Sequence, residues 1–162
     1  MPLVANRKSG MAEACVHECA AALHQIIQNG HIVLDDKWAI LREYMNKLPS
    51  SGQPGVGNAF LKWILTHHSN PSRCTCVAIT PKANDSSDFH EFPDHPGLKN
   101  FDRSDRKFVA VCVAHPLHPP IYQASDSKWW GWKEALEECE VHVEFLCPME
   151  IAAKHKKKSR GK

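Results

Sequence analysis

The sequence of 162 residues contains no apolar run that approaches the length of a membrane span, and no secretory signal precedes its cysteines. Its net charge of +2 is too small to indicate nucleic-acid binding by the body of the chain. Neither G-x-G-x-x-G nor G-x-x-x-x-G-K-[ST] follows a predicted strand, which disfavours a Rossmann-like nucleotide-binding domain. We therefore expect a cytoplasmic protein of one domain that does not enter a membrane.

Paired cysteine motifs are also missing, although the chain has seven cysteines. Cys15 and Cys19 share a predicted helix with His17 and His24, but no second C-x-x-C or H-x-x-x-H motif completes a zinc site. Helix packing is favoured over zinc for these residues. We predict that no cysteine forms a structural disulfide or holds zinc, since reduced thiols are normal in the cytoplasm.

Hydrophobic periodicity predicts helices and strands that alternate along the chain. The predicted helices are 12–28, 37–48, 58–68, 103–115 and 129–140, and the predicted strands are 31–34, 74–80, 121–124 and 141–146. This order favours an α/β fold of three layers, α/β/α, with a central and mainly parallel sheet. Residues 1–150 form the single predicted domain, which is shortened at its amino terminus.

The segments between these elements are predicted to be irregular. Residues 1–6 look like the end of a strand and its loop, and residues 49–56 and 81–100 are predicted loops. Residues 151–162 are predicted to be a disordered basic tail. Such a tail either contacts phosphates without sequence preference or is simply a solvated end.

Acidic residues occur where strands end and helices begin. Asp102 and Asp105 share one side of the first turn of the helix predicted at 103–115, and Asp126 follows a predicted strand. Glu43 lies off the apolar stripe of its helix, where glutamate is usually solvated. The pair at 102 and 105 either complements the helix dipole or holds a hard divalent cation. If the acids converge on one sheet edge, oxygen-only ligands suit Mg²⁺ or Mn²⁺.

Four segments together resemble one protein family. They are Ile32-Val33-Leu34, Ile40-Leu41-Arg42-Glu43-Tyr44, Asp105 through Ala114 with its small and apolar residues, and Ile121 through Trp129. In order and spacing they resemble the PIN domains, metal-dependent nucleases that act mostly on RNA, over roughly residues 31–147. The resemblance implies hydrolysis of RNA phosphodiester bonds with Mg²⁺ or Mn²⁺ as cofactor. It implies metal ligands at Glu43, Asp105 and Asp126, and an auxiliary acid at Asp102.

One part of the family pattern has no counterpart here. PIN domains carry a first acid at the end of their first strand, and residues 1–11 contain no Asp or Glu. We therefore expect that strand and acid to belong ahead of Met1. The alternative is a nuclease-inactive PIN-like module that binds RNA or protein.

The resemblance leaves the partners open. It admits RNA as substrate, an antitoxin-like protein or a role in RNA processing, and a homodimer. Arg103, Arg106 and Lys107 lie beside the acids, where they either hold RNA phosphates or keep the surface soluble.

Overall fold

A computed structural model describes residues 1–7, 10–48 and 55–160. The helices in these ranges are α1 (Pro2–Ala5), α2 (Glu13–Asn29), α3 (Ala39–Lys47), α4 (Val56–His67), α5 (Arg106–Ala114), α6 (Lys128–Glu138) and α7 (Pro148–Ser159). The strands are β1 (Ile32–Asp35), β2 (Cys74–Val77), β3 (Pro81–Lys82), β4 (Asp85–Phe89), β5 (Ile121–Gln123) and β6 (Val143–Phe145). Short 3₁₀ turns cover Pro96–Leu98 and Arg103–Asp105.

The strands form three separate pairs. β1 pairs with β2 and β5 with β6, both in parallel, whereas β3 and β4 form an antiparallel hairpin. The mixed α/β class with parallel pairing is confirmed. Among the described residues, however, the two parallel pairs are not hydrogen-bonded to each other, so the strands do not form one continuous sheet.

Helix α5 is the central buried element, as its run of apolar residues predicts. Val109 and Ala110 are completely buried, and the helix packs against β1, β4 and β5. Just before it, Phe101 lies edge-on to Trp129 with ring centroids 4.9 Å apart. Because Phe101 and Trp129 are also buried, they fix the approach of α6 to the start of α5.

A buried carboxylate begins α3. Asp35, at the end of β1, is completely buried and accepts hydrogen bonds from the backbone N–H groups of Ala39 and Ile40, at 2.7 and 2.8 Å. Asp35 therefore caps the amino-terminal end of α3. The cap connects the end of β1 to the helix that carries Glu43.

Several local predictions are wrong. The segment 81–100 contains the β3–β4 hairpin instead of being wholly a loop. Residues 148–159 form α7, with Ile151 completely buried, where a disordered tail was expected from residue 151. Residues 2–5 are helical instead of strand-like. The loop predicted at 49–56 lies outside the described residues at 49–54.

The prediction that no cysteine forms a disulfide is also wrong, whereas the absence of zinc stays a prediction. Cys15 and Cys147 form a disulfide across 132 positions of sequence. The predicted absence of a bridge rested on missing local motifs, and this bridge depends on the tertiary approach of α2 to the start of α7.

No helix among the described residues combines the length and the apolar character needed to cross a membrane.

Candidate functional site

A cleft of about 730 Å³ lies beside α5. Residues of both β1 and β5 line it, including Val33 and Tyr122. Three of the predicted acids, Glu43, Asp105 and Asp126, also line it. The structure thus brings together carboxylates from three separate segments of the chain.

Glu43 enters the cleft from α3 and is held by two lysines. Its side chain is 16% exposed, and its carboxylate oxygens lie 2.6 Å from Lys47 Nζ and 2.5 Å from Lys107 Nζ. Burial by itself would raise the pKa of Glu43, but hydrogen bonds from Lys107 and Lys47 outweigh it and lower the pKa. Glu43 is therefore an ionised carboxylate at neutral pH.

Asp105 is the least compensated acid of the cleft. It ends the 3₁₀ turn before α5, and its Oδ2 accepts a hydrogen bond of 2.9 Å from the indole N–H of Trp129. Burial raises its pKa, the Trp129 bond opposes this, and repulsion by Glu43, Asp102 and Asp126 adds to the rise. The site therefore disfavours the negative charge of Asp105.

Asp126 follows β5 in a loop fixed by a side chain. The Oε1 atom of Gln123 accepts hydrogen bonds from the backbone N–H groups of Ala124, Ser125 and Asp126, at 2.9, 3.3 and 3.4 Å. The Oδ1 atom of Asp126 in turn accepts from the N–H of Lys128 at 2.9 Å. These bonds hold the loop at the carboxyl end of β5.

Asp102 lies outside the lining of the cleft. Its Oδ1 caps the turn by accepting from the Ser104 N–H at 3.1 Å, as predicted, and its Oδ2 lies 2.9 Å from Lys128 Nζ. The hydrogen bonds from Lys128 and Ser104 lower the pKa of Asp102 to about 2. Its predicted auxiliary role at a metal is untested, and the contacts identify it as a helix cap paired with a lysine.

The three predicted phosphate-binding residues are all paired with acids and lie outside the lining of the cleft. Arg103 pairs with Asp85, and Arg106 lies 2.7 Å from Asp88. Lys107, 13% exposed, holds Glu43.

Lys47 is the lysine that lines the cleft, and the sequence prediction missed it. Its side chain is 56% exposed. Burial would lower its pKa, but the hydrogen bond to Glu43 and the charges of Glu43, Asp105 and Asp126 raise it. Lys47 is therefore a cation at neutral pH. The spacing of Glu43 and Lys47, four residues apart on a helix, was the signal that could have identified it.

The donor set of the cleft matches a hard cation in chemistry, because it consists of carboxylate oxygens. Glu43, Asp105 and Asp126 do not close around one point, however. Within the described part of the chain, no three acids bring their oxygen atoms within 4.8 Å of one another. The cleft therefore holds carboxylates within a largely apolar lining, and as placed they do not form a metal site.

No protein-family model, curated protein or solved structure matches the chain.

Proposed function

We propose that the chain is a metal-dependent endoribonuclease of the PIN type, with Mg²⁺ or Mn²⁺ held by Glu43, Asp105 and Asp126. The observation that carries the proposal is the shared cleft, since the acids assigned from three distant segments all line it. The raised pKa of Asp105 supports it, because repulsion among the acids is relieved by a cation.

Each cleft residue has a distinct part in the proposed reaction. A bound divalent cation would polarise a phosphoryl oxygen of the RNA and convert a water into the hydroxide that attacks the phosphodiester. Asp105, just before α5, and Asp126, just after β5, would hold the cation. Lys47 is cationic and more than half exposed, and it contacts a phosphate of the incoming RNA.

In this proposal one additional strand would both complete the set of metal ligands and join the two parallel strand pairs. β1 and β5 both line the cleft, and each belongs to a parallel pair. A strand between them would join the pairs into one central sheet and give the three-layer arrangement. If that strand ended in Asp, it would add a fourth carboxylate to the cleft.

A nuclease-inactive module that binds RNA is the second candidate. The observation that favours it is the pairing of Glu43 with both Lys47 and Lys107. In this candidate two ammonium groups already neutralise the carboxylate, so no cation is needed. Basic residues at the end of α7, Lys156, Lys157 and Lys158, then contribute binding to RNA phosphates.

The test is cleavage of an end-labelled mixed RNA pool by the chain with Mg²⁺ or Mn²⁺, with and without chelator. We expect weak cleavage by the chain and faster cleavage when a strand ending in Asp is fused ahead of Met1. Asp105→Asn and Asp126→Asn are each expected to abolish cleavage by the fused form. Asp94→Asn is the matched control, because Asp94 is exposed and outside the cleft lining.

Three outcomes separate the candidates. Cleavage that persists in chelator or in Asp105→Asn would contradict the metal mechanism. Equal rates for the chain and its fused form would contradict the missing-ligand argument. RNA binding without cleavage in any form would favour the inactive module.

A further inference from the structure

Three cysteines from distant parts of the chain meet in the core. Cys15 and Cys19 lie one turn apart on α2, and Cys147 immediately precedes α7. Their sulfur atoms all lie within 4.8 Å of one another, and the residues are 4%, 0% and 8% exposed. No fourth His, Cys, Asp or Glu in the described part of the chain joins them within that distance. The cluster is therefore a closed set of three soft donors.

The cluster has two covalent forms. In the structure Cys15 and Cys147 are bridged, while Cys19 is a free thiol beside them. A phosphine reductant with water opens the bridge to two thiols and is itself oxidised to the phosphine oxide. The reduced form then presents three thiols that the helices hold in one place.

We propose that the reduced cluster of Cys15, Cys19 and Cys147 binds one Cu⁺ ion through three thiolates. An ion placed about 2.3 Å from each of three sulfurs requires them to lie about 4 Å apart. The fold holds the three sulfurs within 4.8 Å of one another while Cys15 and Cys147 are bonded, and reduction frees those two sulfurs to separate to this spacing. On binding, the ion displaces one proton from each thiol, and three protons are released.

The coordination number selects the metal. Thiolate donors favour the soft ions Cu⁺ and Zn²⁺ over Mg²⁺ or Mn²⁺. Zn²⁺ in closed sites takes four ligands, whereas Cu⁺ is satisfied by three sulfurs in a plane. Three buried sulfurs that no fourth His, Cys, Asp or Glu of the described residues joins therefore suit Cu⁺ better. This site is chemically separate from the acidic cleft and does not depend on the proposed nuclease function.

The experiment titrates the full chain with Cu⁺ under anaerobic conditions against a colorimetric Cu⁺ chelator, before and after reduction. We expect the reduced chain to retain one Cu⁺, with X-ray absorption showing three sulfur ligands, and the bridged chain to retain none. Cys19→Ser should weaken retention roughly a hundredfold or more, because it removes one of three ligands. Cys76→Ser is the matched control, since Cys76 is an exposed free cysteine. A parallel titration with Zn²⁺ should show weaker retention.

Several results would overturn the proposal. They are no retention by the reduced chain, equal retention by the bridged chain, a loss that follows Cys76→Ser, or tighter retention of Zn²⁺ than of Cu⁺. Because Cys19 is completely buried, its substitution also changes the packing of the core. The count of sulfur ligands in the unsubstituted chain decides the question independently of that variant.

Discussion

The two charged regions around α5 differ in how their acids are compensated. Towards the β3–β4 hairpin, Asp88 pairs with Arg106 at 2.7 Å and Lys82 at 3.0 Å, and Asp85 pairs with Arg103. Towards the cleft, Glu43 pairs with Lys47 and Lys107, whereas Asp105 accepts a hydrogen bond from the Trp129 N–H and its pKa is raised. The first region, called here the hairpin side, is matched in charge, and the cleft is not.

This difference separates structural charge from functional charge. Matched pairs offset the cost of bringing ions out of water, and removing one partner of a buried pair destabilises the fold because the other charge is left unpaired. Uncompensated acids cost stability, and folds keep such groups mainly where a ligand or a reaction uses them. Of the three basic residues predicted to hold phosphates, Arg103 and Arg106 pair with acids of the hairpin side, and Lys107 pairs with Glu43. These pairings explain why the three residues are absent from the cleft lining.

The largest effect is expected from Asp88→Ala on the hairpin side. Arg106 is only 11% exposed, and its Nε has no hydrogen-bond partner among the described residues. Removing Asp88 leaves the guanidinium buried without its acid. We expect the free energy of unfolding to fall by about 3 kcal/mol, measured by urea denaturation.

Asp94→Ala provides the matched control, since Asp94 is exposed, and it should change the free energy of unfolding by less than about 0.5 kcal/mol. If Asp88→Ala had an effect as small as the control, the hairpin side would not be structural and the comparison would fail.

An opposite effect is expected from Asp105→Asn in the cleft. The substitution removes the repulsion with Glu43 and Asp126 but keeps an oxygen that accepts from Trp129. We expect stability at pH 7 to rise by up to about 1 kcal/mol while the proposed cleavage is lost.

The pH dependence of this gain tests its cause. Because the pKa of Asp105 is raised in the folded state, the unsubstituted chain loses stability as pH rises from the unfolded pKa through the folded one. The advantage of Asp105→Asn should therefore exist above that window and vanish below it, measured by unfolding at several pH values. A destabilised variant at pH 7 would mean that Asp105 is structural.

The smallest effect is expected from Asp102→Asn at the rim between the two regions. Lys128 and Ser104 hold the pKa of Asp102 at about 2, but the two paired side chains are 32% and 55% exposed. We expect a loss of less than about 1 kcal/mol at pH 7, because exposed pairs are screened.

The sign of the pH dependence is opposite to that of Asp105. A lowered pKa contributes stability above the unfolded pKa of about 3.9, and this contribution is lost as pH falls towards about 2. Unfolding curves of Asp102→Asn and the unsubstituted chain should therefore converge at the acid end. Curves that stayed apart there would show that the change acts through the cap and not through the charge.

Periodicity predicted the elements whose stability is local. Helix α2, strand β1 and the buried body of α5 lie where the sequence indicates them. Each can be predicted locally because a single apolar face or apolar run determines its position. The cap by Asp35 was predictable for the same reason, since the capping group lies next to the helix it serves. The three acids line one cleft, but among the described residues their oxygen atoms do not meet within 4.8 Å, so the hypothesis that they share a cation stays a prediction.

The predictions were wrong for elements whose structure depends on contacts between residues far apart in the sequence. The polar hairpin at 81–89 has weak strand propensity, and its Asp85 and Asp88 are held by cations from around α5. Helix α7 is fixed by burial of Ile151 and by the bridge from Cys147 to α2. Sequence spacing gives no information on a partner 132 positions away. The same limit applies to the lysines around Glu43, of which only Lys47 is a helical neighbour.

Among the described residues, β1 and β5 each have one edge without a paired strand, and this has a consequence for amide exchange with solvent. Ile32 donates towards β2 and Ile121 towards β6, so the alternation of parallel strands turns the main-chain groups of Val33 and Tyr122 the other way, along the cleft. Water in the cleft can reach these groups. In deuterium oxide the amides of Val33 and Tyr122 should therefore label early, while their immediate neighbours in the same short strands label late.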